Sequence, residues 1–74
     1  MGKLTDLLMV YWSYANNHSV EVFTQEIKAI TGDWEVFKVN GKARNYRHYK
    51  AIPSDIARDT KMILSNPDKL TLCV

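Results

Sequence analysis

The chain is poor in the residues that mark several common protein classes. It has one cysteine, Cys73, in 74 residues. A lone cysteine cannot close an internal disulfide, which excludes the disulfide-framed secreted domains and leaves a reducing, cytoplasmic setting as the expectation. No apolar run approaches the ~20 residues that cross a bilayer. The amino terminus, MGKLTDLL, places Asp6 ahead of the apolar stretch, unlike a secretory signal. Asp6 also stands where an N-myristoylation motif requires Ser or Thr.

Glycine and histidine are also scarce, at three and two residues. The three glycines are isolated, so there is no Gly-rich phosphate loop. His18, His48 and Cys73 lack any zinc-ligand spacing, and nothing in the sequence fixes a base beside the cysteine. Asp55 and Asp59, four apart, would share a helix face and could hold a cation. With no third ligand, two solvated carboxylates are the simpler reading. No catalytic residue, metal or cofactor is expected.

What is present is an ordinary globular composition, 46% apolar, in a length that fits one domain spanning residues 1–74. The net charge is only +2, but its distribution is uneven. Residues 1–33 set Lys3 and Lys28 against Asp6, Glu21, Glu26 and Asp33, for −2. Residues 34–52 set Lys38, Lys42, Arg44, Arg47 and Lys50 against Glu35, for +4. The remaining residues balance. A local positive field of this kind attracts polyanions.

That basic segment, WEVFKVNGKARNYRHYK, contains Asn40-Gly41, a pair that tolerates positive φ at both central positions of a type I′ hairpin turn. A two-residue loop fixes the register: Val39 opposite Lys42, Lys38 opposite Ala43, Phe37 opposite Arg44, and Trp34 opposite Arg47, where a cation–π contact is plausible. Alternation then puts Lys42, Arg44, Tyr46, His48 and Lys50 on one face. Trp34, Val36, Ala43, Tyr49 and Ala51 share the other, which is expected to turn to the core.

Three helices flank the hairpin in sequence. Thr5 is the expected N-cap of the first, whose stripe is Leu4, Leu8, Tyr11 and Ala15, widened by Leu7 and Tyr14. Met9, Val10 and Trp12 fall outside that stripe. An apolar surplus of this kind suits a homodimer interface. Ser19 caps a second helix, Val20 to Thr31, with Val20, Phe23, Ile27 and Ile30 inward and Gly32 closing it. A short strand over Ser19–Phe23 is the rival. Ser54 caps a third helix that buries Ile56, Thr60, Ile63 and Leu64, turns Arg58, Asp59 and Lys61 to water, and stops at Asn66-Pro67. The alternating tail, Leu70, Leu72 and Val74, is a strand that joins the hairpin.

The expected fold is therefore a small two-layer α+β domain, ordered α-α-β-β-α-β, with a three-stranded antiparallel sheet. A winged-helix or helix-turn-helix arrangement is the alternative, with Arg44, Asn45, Arg47 and His48 on a recognition helix. Either leads to nucleic-acid binding, DNA or RNA. Lys38, Lys42, Arg44, Arg47 and Lys50 would meet phosphates, and Tyr46 and His48 would contact bases or sugars. The bland reading of the same residues is a solvated strand face. A second functional class is a non-enzymatic inhibitor or adaptor for one protein partner, of the kind viruses and mobile elements encode. It would dock through the first helix and residues 69–74.

Overall fold

The computed structural model describes residues 2–32, 37–46 and 52–72. Within these, the elements are α1 (Lys3–Ala15), α2 (Val20–Thr31), β1 (Phe37–Val39), β2 (Lys42–Arg44), α3 (Pro53–Ser65), a 3-10 turn (Pro67–Lys69) and β3 (Leu70–Leu72). The order is the α-α-β-β-α-β expected, and strand at 42–44 removes the recognition-helix alternative.

Local chemistry explains most boundaries. The Ser19 side chain accepts a hydrogen bond from the Val22 N–H at 3.1 Å, so α2 starts at its cap and the rival strand does not form. Gly32 ends α2 at φ 52°, ψ −111°, a combination costly for any residue with a Cβ. α1 ends at a polar cluster in which Asn17 takes φ 80°. Two starts differ from the sequence reading. α1 begins beyond Gly2 rather than Thr5, and α3 begins at Pro53, capped by the backbone of Ile52 rather than by Ser54. Proline suits that first position, because its missing N–H would have had no helical partner.

Asn40 and Gly41 sit at φ 52° and 79°, the left-handed pair a type I′ turn demands. The register follows: Phe37↔Arg44, Lys38↔Ala43, Val39↔Lys42. β3 pairs antiparallel with the other edge of β1, Val39 opposite Leu70 and Phe37 opposite Leu72, giving the order β2-β1-β3.

α1 packs against α2, α3 and β3, and α3 packs on β1. The core they enclose is Leu7, Val10, Tyr11, Phe23, Ile27, Phe37, Val39, Tyr46, Ile56, Ile63 and Leu70. Phe23 sits at the centre of an edge-to-face cluster, with ring centroids 5.0 Å from Tyr11, 5.3 Å from Tyr14 and 5.5 Å from Tyr46. Such pairs add about 0.5–1.5 kcal/mol each beyond their buried area. The buried hydroxyls of Thr31 and Thr60 bond back to the carbonyls of Ile27 and Ile56, at 2.9 and 2.7 Å, so neither is orphaned.

Three packing expectations are corrected. The hairpin's core face carries Phe37, Val39 and Tyr46, whereas Lys38 and Ala43 are exposed. The face reading is thus reversed; Trp34, Val36, Tyr49 and Ala51 lie outside the described residues. The buried stripe of α1 is Leu7, Val10 and Tyr11, flanked by Tyr14, because the helix wedges between α2 and α3 rather than lying on one of them. Val10 therefore belongs to the core and not to an interface. On α3, Asp59 is buried and Leu64 is exposed, the opposite of the pattern expected.

Candidate nucleic-acid interface and the buried charge beneath it

Asp59 explains why the hairpin turns a basic face inward. Its carboxylate, with only 5% of the side chain exposed, receives two hydrogen bonds from Arg44: Nε to Oδ2 at 2.6 Å and Nη2 to Oδ1 at 3.1 Å. This is the fork-on-carboxylate geometry that arginine alone supplies. The Tyr46 hydroxyl donates a third bond to Oδ2, at 2.6 Å. One carboxylate on α3 thus fixes β2 and the residue two beyond it. Arg44 can lie on the core side because its charge is cancelled there.

Burial pushes the Tyr46 hydroxyl far above its ordinary pKa, and the bond to and charge of Asp59 push it further. Tyr11, on α1, is raised in the same way, first by burial and then by the neighbouring Tyr46 and Asp59. Its hydroxyl lies buried beside that pair without a hydrogen bond of good geometry among the described residues. Four side chains from α1, β2, the segment after it and α3 form one internal polar centre beneath the aromatic cluster.

The candidate nucleic-acid residues therefore separate. Tyr46 is 2% exposed and cannot stack on a base. Arg44 is 17% exposed in its side chain, with its guanidinium engaged, and is no free phosphate ligand. Lys38 and Lys42 are exposed, but cross-strand pairing puts them on opposite faces of the ribbon. Arg47, His48 and Lys50 lie outside the described residues.

A cation that the sequence reading left out joins the first two. The Asn40 N–H donates to the Lys69 carbonyl at 2.7 Å, which brings Lys69 to the turn end of the sheet. Lys42 and Leu70 both pair with Val39, from opposite sides, so Lys42 and Lys69 flank the turn about two strand spacings apart, ~10 Å. Lys38, Lys42 and Lys69 are exposed and have no carboxylate within ion-pair distance among the described residues. The signal that could have found Lys69 was β3 itself, since antiparallel pairing to β1 brings its first residue to the Asn-Gly turn.

Asp55 pairs with Arg58 at 3.2 Å while Asp59 is taken by Arg44, so the two carboxylates do not converge on a cation. No cluster of metal-ligating side chains occurs among the described residues, and none of their helices is long and apolar enough to cross a membrane. Met9 and Trp12 project from α1, 60% and 55% exposed. No protein family, curated protein or solved structure matches this chain.

Proposed function

We propose that the chain is a small, non-enzymatic, cytoplasmic module that binds nucleic-acid phosphates at the turn end of its sheet. Lys38, Lys42 and Lys69 are the contacting cations; Arg47, His48 and Lys50, expected from the sequence to contact the same ligand, lie outside the described residues. The observation that carries this reading is that three exposed lysines flank Asn40-Gly41, Lys38 and Lys42 on opposite faces of the ribbon, with no carboxylate at ion-pair distance among the described residues. Asp68 precedes Lys69 in the chain and leaves a net +2 there. Arg44 and Tyr46, committed to Asp59, act as scaffold for this surface.

Three lysines set the scale of the effect. Neutralising three duplex phosphates gives a slope of about −2.7 for log K against log salt, or about −2 on a single strand. Between 50 and 200 mM salt, duplex affinity would fall about 40-fold on that slope. Fluorescence anisotropy with labelled duplex DNA, single-stranded DNA and RNA across this range tests the proposal and separates the sources of phosphate. Lys42→Glu should weaken binding to every sequence and flatten the slope by about one or more. Absence of binding at the lowest salt, or a slope near zero, would overturn the reading.

A further inference from the structure

The lysines at the turn stand on two sides of one blade. Lys38 pairs with Ala43 on one edge and with Thr71 on the other. All three are exposed, so among the described residues this face of the sheet is open. Lys42 pairs with Val39 and leaves the ribbon on the opposite side, from the outer strand β2. Between the two the turn stands clear. Asn40 and Gly41 are exposed, and a side chain at Gly41 would meet nothing within 4 Å. The main-chain N–H of Asn40 is taken by the Lys69 carbonyl, while its side-chain amide has no partner among the described residues.

We infer that the ligand is duplex DNA of the B form, entered through its major groove by this turn. The inference rests on the phosphate-binding reading above and narrows it. A single strand lying on either face of the sheet meets Lys38 or Lys42, but not both. Single strands are also held by exposed rings on which bases stack. The rings at this hairpin, Phe37 and Tyr46, are buried. A groove offers two phosphate walls, one for each side of the blade.

Width selects the groove. A sheet with its side chains is about 10 Å thick. That fits a major groove of ~12 Å and not a minor groove of ~6 Å. Duplex RNA fails the same measure, because its A-form major groove is deep and narrow. At the groove floor the tip presents Asn40. Its carboxamide can accept from N6 and donate to N7 of adenine, a pairing that reads one base.

Anisotropy with a DNA duplex, one of its strands alone and an RNA duplex of the same sequence tests this. The DNA duplex should show the salt slope of about −2.7 that three contacts give, and the single strand no more than about −1.4, for two. Lys38→Glu and Lys42→Glu, both at exposed positions, should keep the wild-type circular dichroism and each flatten the duplex slope by about one. Replacing adenine by 7-deazaadenine removes the N7 acceptor from the major groove and changes nothing in the minor groove. The wild type should bind that duplex about fivefold more weakly. Asn40→Gly keeps a residue suited to the left-handed turn and should not distinguish the two duplexes. A single strand or an RNA duplex bound as tightly as duplex DNA overturns the inference and leaves phosphate binding standing. A wild type indifferent to 7-deazaadenine, or a Lys38→Glu slope equal to that of the wild type, does the same. Absence of binding to all three at the lowest salt overturns both readings.

Discussion

Removing the Asp59 carboxylate is the sharpest test of how the hairpin is held. Asp59→Ala takes the carboxylate from the Arg44 guanidinium, 17% exposed, and the acceptor from the hydroxyl of Tyr46, which the fold buries almost completely. Losing one partner of a buried ion pair costs about 3–5 kcal/mol, and a buried hydroxyl that loses its acceptor up to about 1–3 kcal/mol. Partial rehydration of Arg44 offsets some of this, so the expected loss is about 4 kcal/mol. A chain of 74 residues has roughly 4–11 kcal/mol of stability in total, and the variant should be marginal or unfolded at 37 °C. Urea denaturation followed by circular dichroism reads the loss. Arg44→Met alone leaves the carboxylate buried with one hydrogen bond and should also be costly. The double variant removes both charges and should be better folded than the two single losses would sum to, by about 2 kcal/mol or more. Additivity within ~0.5 kcal/mol would show that Arg44 and Asp59 do not depend on each other. Arg44 would then return to the pool of free cations, and the account of the hairpin's faces would fail.

Alkaline titration should be unusually destabilising. Tyr11 and Tyr46 have folded-state pKa values raised well above the ordinary value, so above pH 10 the unfolded chain releases their protons while the folded chain keeps them. Their stabilisation is complete below pH 10 and is lost at up to about 1.4 kcal/mol per pH unit for each tyrosine above it. Tyrosinate absorbance from Tyr11 and Tyr46 should rise together with loss of structure, and Tyr46→Phe should shallow the decline; ionisation of all four tyrosines with the fold intact would contradict the burial. Gly41→Ala places a Cβ at φ 79° in otherwise open space, so only backbone strain is added. A cost of about 1 kcal/mol is expected, with strand pairing retained by amide exchange.

Features set by adjacent residues were legible in the sequence. Ser19 and Gly32 bracket α2 because a hydroxyl and a missing Cβ act within a few positions of themselves. Asn40-Gly41 dictates the turn, the turn dictates the register, and the alternating tail becomes β3. Features set by a distant partner were not legible. Asp59 lies 15 residues from Arg44, and although it stands three residues after Ile56 and four before Ile63, on the inward side of α3, its charge groups it with Arg58 and Lys61 as solvated until that partner is known. Without that pairing, a strand face holding Lys42, Arg44, His48 and Lys50 reads as too charged for a core. With it, the face of Phe37, Val39 and Tyr46 becomes the better one to bury. The rotation of α1 was hidden for a similar reason, since nearly every residue from Leu7 to Tyr14 is apolar and only the positions of α2 and α3 choose among them.

Size connects the two surfaces. For an 8.5 kDa chain the surface expected of a folded monomer is about 4,700 Å², and the observed value is 4739 Å². The exposure of Trp12 and Met9 is therefore no sign of loose packing. One sheet face and two helices offer α1 enough contact to bury a stripe of three to four residues, and its remaining apolar side chains have nowhere inside to go. The same shortage of interior explains Arg44. A core this thin reaches its edge within one strand, and a long side chain with a charged head, closed by a carboxylate from α3, fills that edge where a short apolar residue would leave a gap. Counting charge along the sequence assigns that arginine to the surface. Counting who is within reach of whom assigns it to the interior, against Asp59 of α3.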